Sequence, residues 1–138
     1  MADYRISWLL ADHVILLQLI GEYSEALLDQ QVQRVSEYAQ QGTAPVYVIV
    51  DTMGATSLPK NLKEPLSVLT SYQLNKVAWV IFITANTLFR FLGSLAGKFI
   101  GVNFRPVASL EEAVEVLLRI NPALDGLRQI DLAVYDPS

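Results

Sequence analysis

The stretch Val46-Tyr47-Val48-Ile49-Val50-Asp51-Thr52-Met53-Gly54-Ala55-Thr56-Ser57-Leu58-Pro59-Lys60-Asn61-Leu62 decides the fold. Its first five residues are an apolar run rich in β-branched side chains. A run of that length without polar alternation reads as a parallel strand covered on both faces. It stops at Asp51, and residues 52–59 read as a loop. A helix is expected from about 59 to 71, with Pro59 at its first position and Leu62, Leu66 and Leu69 along one face. Pro65 inside that window calls for a kink or a late start.

Upstream, Gly42 marks the end of an earlier helix. Leu28, Val32, Val35 and Ala39 recur at helical spacing, and Ser24 is placed to cap the start. Residues 13–20 (HVILLQLI) form a second near-continuous apolar run, a central strand broken at Gly21. Residues 4–9 suggest a first strand, joined to it through a polar turn at residues 11–13, as in an antiparallel hairpin. Downstream, residues 77–83 (VAWVIFI) are a third buried strand. Asn86 then caps a helix from about 87 to 100. Residues 104–108 form a short edge strand, since Pro106 has no N–H to give a ladder. Ser109 and Glu112 make a capping box for a last helix whose inner face holds Leu110, Ala113, Val114, Leu117 and Leu118. Asn121-Pro122 ends it.

The order is therefore β-β-α-β-α-β-α-β-α, an α/β domain with a mixed sheet, an N-terminal antiparallel hairpin and about four helices. Residues 1–122 form the domain. Residues 123–138 are a tail, read as an extra strand on this chain or an arm swapped onto a neighbour.

This order, with the strand and loop over residues 46–62, resembles the SpoIIAA-like fold of STAS domains, which also includes SEC14-like proteins. The resemblance covers residues 2–120. Asp51, Gly54 and Leu58 match the family's strand-ending aspartate and the glycine and apolar position of its D-x-S-G-V-x-x-I-D-S-S-G-type loop. The family's second aspartate falls at Pro59, and its phosphorylatable serine falls at Lys60 or Asn61. A lysine there fixes a positive charge where phosphorylation would add about −2. The resemblance thus implies a regulatory, partner-binding module whose phosphoswitch is absent or moved to Thr56 or Ser57. It also implies the recognition loop Asp51, Thr52, Gly54, Thr56, Ser57, Lys60 and Lys63.

Composition narrows the chemistry. The chain has 138 residues, 52% hydrophobic and 17% charged, enough for one domain with its own core and too apolar for disorder. It has no cysteine and one histidine, His13. Disulfides, thiolate metal sites and thiol catalysis are excluded, and a Ser-His-Asp triad or multi-histidine metal site is disfavoured. The net charge of −4 argues against nucleic acid. The charge is uneven: residues 52–110 carry net +5 and the remainder −9. The loop has no G-x-x-x-x-G-K-[ST] or G-x-G-x-x-G pattern, so no nucleotide cofactor is expected. Nothing at the N-terminus reads as a signal peptide, and Asn86, Arg90 and Lys98 interrupt the one long apolar stretch. The expectation is a cytoplasmic protein with no transmembrane segment.

Two features carry the functional expectations. Asp51 sits where open α/β sheets place ligands, although the commoner role of such an aspartate is to organise its own turn. It has no paired carboxylate, so no catalytic residue is expected. The helix after Asn86 is apolar around most of its cylinder, through Leu88, Phe89, Phe91, Leu92, Leu95, Phe99 and Ile100, with Gly93, Gly97 and Gly101 at four-residue spacing. Such a helix needs cover on more than one side. The interface residues Phe89, Phe91, Leu92, Leu95 and Phe99 are expected to meet a second copy, giving a homodimer. Burial within the protomer and contact with lipid are the alternatives for that surface, with peripheral membrane contact the least favoured. The alternative function is binding of a small apolar or anionic ligand, as SEC14-like relatives suggest.

Overall fold

The computed structural model describes residues 3–57, 76–84 and 103–135. The expected second and third helices lie outside these residues. So do Lys60, Lys63 and the interface set Phe89, Phe91, Leu92, Leu95 and Phe99.

Strands β1 (Asp3–Leu10) and β2 (Val14–Glu22) form the antiparallel hairpin. Its turn places Asp12 at φ 67, a left-handed conformation that aspartate tolerates better than most residues. Helix α1 (Glu25–Gln41) leads to β3 (Val46–Ser57), followed by β4 (Val77–Ile83), β5 (Asn103–Val107) and α2 (Leu110–Ile120). The described strands make one sheet in the order β1-β2-β3-β4-β5. β2, β3, β4 and β5 run parallel, and β5 with its Pro106 is at the edge. The expected mixed sheet with its N-terminal hairpin is the architecture observed.

Alternate residues of the central strands feed two cores. Ile15, Leu17 and Leu19 with Val46, Val48, Val50, Val80 and Phe82 face α1, which contributes Val32, Val35 and Ala39. Val14 and Leu16 with Tyr47, Ile49, Ile81 and Ile83 face α2, which contributes Ala113, Val114, Val116 and Leu117. Each fully buried aliphatic side chain is worth roughly 1.5–3 kcal/mol of transfer free energy. That is why the three strands with apolar runs, β2, β3 and β4, take the inner positions of the sheet. Val116 was not among the residues expected on the inner face of α2. Trp8 and Trp79 are half-buried at the margins of the two clusters.

Gly42 does end α1, but not through a left-handed conformation: its φ is −84. A Cβ there would lie 2.8 Å from Trp8 Cη2 and 2.9 Å from the Asp12 carbonyl oxygen. The glycine is required by close approach of the hairpin turn. Lys76 completes the helix end by donating from Nζ to the carbonyls of Gln40 (2.9 Å) and Gly42 (3.0 Å). A cation at a helix C-terminus is also favoured by the helix dipole.

Two expectations are corrected. β3 does not stop at Asp51. Its pairing with β4 ends at Asp51↔Ile83, but pairing with β2 continues through Ile20↔Gly54 and Gly21↔Ala55 to Glu22↔Ser57. Because β2 runs past Gly21, the residues read as a loop keep a ladder partner. Residues 130–135 do not form a strand either. The chain makes 3₁₀ turns over Pro122–Gln129 and Leu132–Tyr135, with Leu124 and Leu127 sunk into the α2-side core.

Candidate functional site

The carboxyl ends of the parallel strands carry the candidate site. Asp51 is 4% exposed, and its Oδ1 accepts a hydrogen bond from the Met53 N–H at 2.9 Å. This is a local side-chain turn, the organising role an aspartate fills when the backbone changes partner. Next to it, Thr52 Oγ1 donates to the Ile83 carbonyl at 2.6 Å, fastening β3 to the end of β4. Thr84 N–H donates in turn to the Val107 carbonyl at 3.0 Å, fastening β4 to β5.

The N-terminus of α2 closes this side. Ser109 Oγ accepts from the Glu112 N–H at 3.1 Å, and Glu112 Oε2 accepts from the Ala108 N–H at 2.7 Å. The Ser109 half is that of the capping box expected from the sequence, while the Glu112 side chain reaches one residue further back, to the N–H of Ala108. Glu111 and Glu112 in the first turn complement the positive end of the helix dipole.

Between these elements lies a cleft of about 740 Å³. β3 lines it with Asp51, Met53 and Gly54, and the α2 turn with Ser109, Leu110 and Glu111. Ile83, Leu132 and Tyr135 supply much of the remaining wall. Its size is that of a small-molecule or peptide side-chain pocket. A mostly apolar lining that includes the carboxylates of Asp51 and Glu111 suits an apolar group that carries hydrogen-bond donors. Among the described residues no cluster of three or more His, Cys, Asp or Glu is placed to hold a metal ion.

Of the expected recognition loop, Asp51 and Gly54 line this cleft and Thr52 braces it from β3. Thr56 and Ser57 are the last two residues of β3. Sequence reading missed Met53, Glu111, Leu132 and Tyr135. Met53 is 48% exposed, an unusual position for a large apolar side chain. Its only signal in the sequence was its place between Asp51 and Gly54. Leu132 and Tyr135 arrive from the far end of the chain, and no local pattern announces that.

No protein-family model and no curated protein matches the sequence. Solved structures do. An uncharacterized DUF3478-family protein with a SpoIIAA-like fold from Shewanella loihica PV-4 is similar with TM-score 0.59 and 16% identity, over 84% of this chain and 93% of that one. The anti-sigma factor antagonist SpoIIAA in its unphosphorylated form is similar with TM-score 0.58 and 12% identity, over 85% of this chain and 98% of that one. The Bacillus cell fate determinant SpoIIAA in its phosphorylated form gives TM-score 0.55 and 13% identity, over 83% and 99%. Identities this low leave the backbone path as the shared property. The chain has a SpoIIAA-like fold.

Proposed function

We propose that the chain is a non-enzymatic regulatory module of STAS type that works in the cytoplasm by binding another protein at the carboxyl end of its sheet. The recognition surface comprises Asp51, Thr52, Gly54, Thr56, Ser57, Lys60 and Lys63, joined by Met53 and Glu111. The observation that carries this reading is the end of β3. Beyond Asp51 the strand is paired with β2 and no longer with β4, and it presents a half-exposed methionine at the cleft. Among the described residues no strand pairs with this segment on its β4 side, and an open strand side with an apolar anchor is a common way to seat a partner.

The fold supports a regulator, since two of the similar structures are of an anti-sigma factor antagonist. The buried carboxylate supports a non-catalytic role, because Asp51 is engaged with its own backbone turn. The module acts as a homodimer through Phe89, Phe91, Leu92, Leu95 and Phe99. Light scattering at micromolar concentration then gives about twice the 15.3 kDa chain mass. Phe91→Asp reduces it to one chain. A wild-type monomer overturns the dimer.

The partner claim is tested by affinity capture from the cells that make the protein. Wild type and a Gln33→Glu control on the outer face of α1 should retain the same stoichiometric partner, and Met53→Asp should lose it. Equal capture by all three overturns the reading. The cleft itself favours one second reading, a small apolar ligand, for which native mass spectrometry of the purified chain should show a bound mass.

A further inference from the structure

We propose that residues 131–135 are a latch, a segment of the chain's own C-terminus that covers the cleft and is displaced when the carboxyl end of the sheet is engaged. This rests on the partner-binding reading for its purpose, though not for its geometry.

The anchor of the latch is Gln18. It interrupts the apolar run of β2, is 3% exposed, and stands in register with Asp51 on the neighbouring strand. A buried amide in a central strand needs a partner. Gln18 Nε2 donates to the backbone carbonyl of Tyr135, 117 residues away. The last described turn of the chain is thereby tied to the middle of the sheet, beside the residue that begins the candidate site.

Anchoring falls off along the tail. Pro122–Gln129 is rooted by Leu124 and Leu127, 2% and 1% exposed, and by Asn121, whose Nδ2 donates to the Tyr47 hydroxyl at 3.3 Å. Among the described residues from Asp131 onward no side chain is fully buried. Leu132 and Tyr135 are half-buried, and Val134 is 70% exposed. The turn holds itself together: Asp131 Oδ1 accepts from the Ala133 N–H at 3.1 Å, and its carbonyl accepts from the Val134 N–H at 3.3 Å. A unit that is locally closed, lightly packed and preceded by a firmly rooted segment opens without unfolding the domain. Opening removes Leu132, Ala133 and Tyr135 from the cleft wall and leaves Asp51, Met53 and Gly54 accessible.

The chain's two methionines, Met1 and Met53, make the test direct. With ¹³C-methyl methionine in the full chain, a soluble paramagnetic probe relaxes the Met53 methyl in proportion to its exposure. Gln18→Leu keeps the side-chain volume and removes the donor; Tyr135→Ala removes the aromatic wall. Each should raise relaxation of Met53, up to a ceiling of about twofold set by its existing 48% exposure, and speed amide exchange of residues 132–135, with exchange at Leu124 and Leu127 unchanged. If Gln18→Leu does not fold, Tyr135→Ala decides alone. Met53 relaxation and tail exchange that match wild type overturn the latch. Partner capture by the same variants separates the two ideas. Release of Met53 with stronger capture supports both; release without it supports the latch and counts against partner binding at this end of the sheet.

Discussion

Asp51 shows how much one side chain settles at the carboxyl end of the sheet. Its carboxylate sits where β3 leaves β4, and it holds the Met53 amide as the backbone changes partner. Replacing it with alanine removes the acceptor from a part-buried N–H, a loss of about 1 kcal/mol in urea unfolding. Asp51→Asn retains a side-chain oxygen and should cost less than half as much. Equal losses would mean that charge, and not the turn, sets the role. Gly42 makes a steric counterpart. An added methyl meets backbone as well as the Trp8 ring, so Gly42→Ala should destabilise by about 1–3 kcal/mol. At Gly126 the nearest atom is Leu10 Cδ1 at 2.8 Å, the movable end of a side chain, and alanine should be tolerated with less than about 1 kcal/mol lost. The need for glycine at position 42 was legible as a helix stop. The reason was not, because the hairpin turn that crowds it comes from thirty residues upstream.

Among the elements, the helices with explicit caps are those the sequence located best. Ser24 Oγ accepts from the Leu27 N–H at 3.2 Å, and Ser109 and Glu112 cap α2, as their spacing indicates. Ser109→Ala should lower stability by about 1 kcal/mol, read as a reduced melting temperature. By contrast, the Arg34–Glu37 pair on α1 is solvent-exposed on both sides, although Glu37 holds the guanidinium pKa above its ordinary value. Glu37→Gln should leave the melting temperature unchanged, since exposed ion pairs add little. Strand ends were less legible. Alternation and branching fix where β2 and β3 begin, but their carboxyl ends depend on how far each finds a neighbour. The residues after Asp51 look like a loop on their own and become strand because β2 extends beside them. The 3₁₀ tail was hidden for a similar reason. Its apolar residues fit a strand equally well until the register of Gln18 and the α2-side core assigns them places.

At the scale of the whole molecule, topology concentrates dissimilar segments at one end. The sheet brings residues 51–54, the capped start of α2 and the C-terminal turn to a single cleft. The fold class was readable because each layer of the sequence pointed the same way: hairpin spacing, apolar runs, helix caps and an edge proline. The site was only half readable. Asp51 and Gly54 lie within a local pattern, whereas Glu111, Leu132 and Tyr135 join them through tertiary structure alone.

The claim that this end of the sheet meets a partner protein is tested most directly by site-specific photo-crosslinking in the cells that make the protein. A photoreactive residue is placed at Met53 in one variant and at Gln33, on the outer face of α1, in another. The account expects a discrete adduct with a second protein from position 53 and none from position 33. Adducts of equal yield from both positions, or from position 33 alone, or from neither, would contradict it.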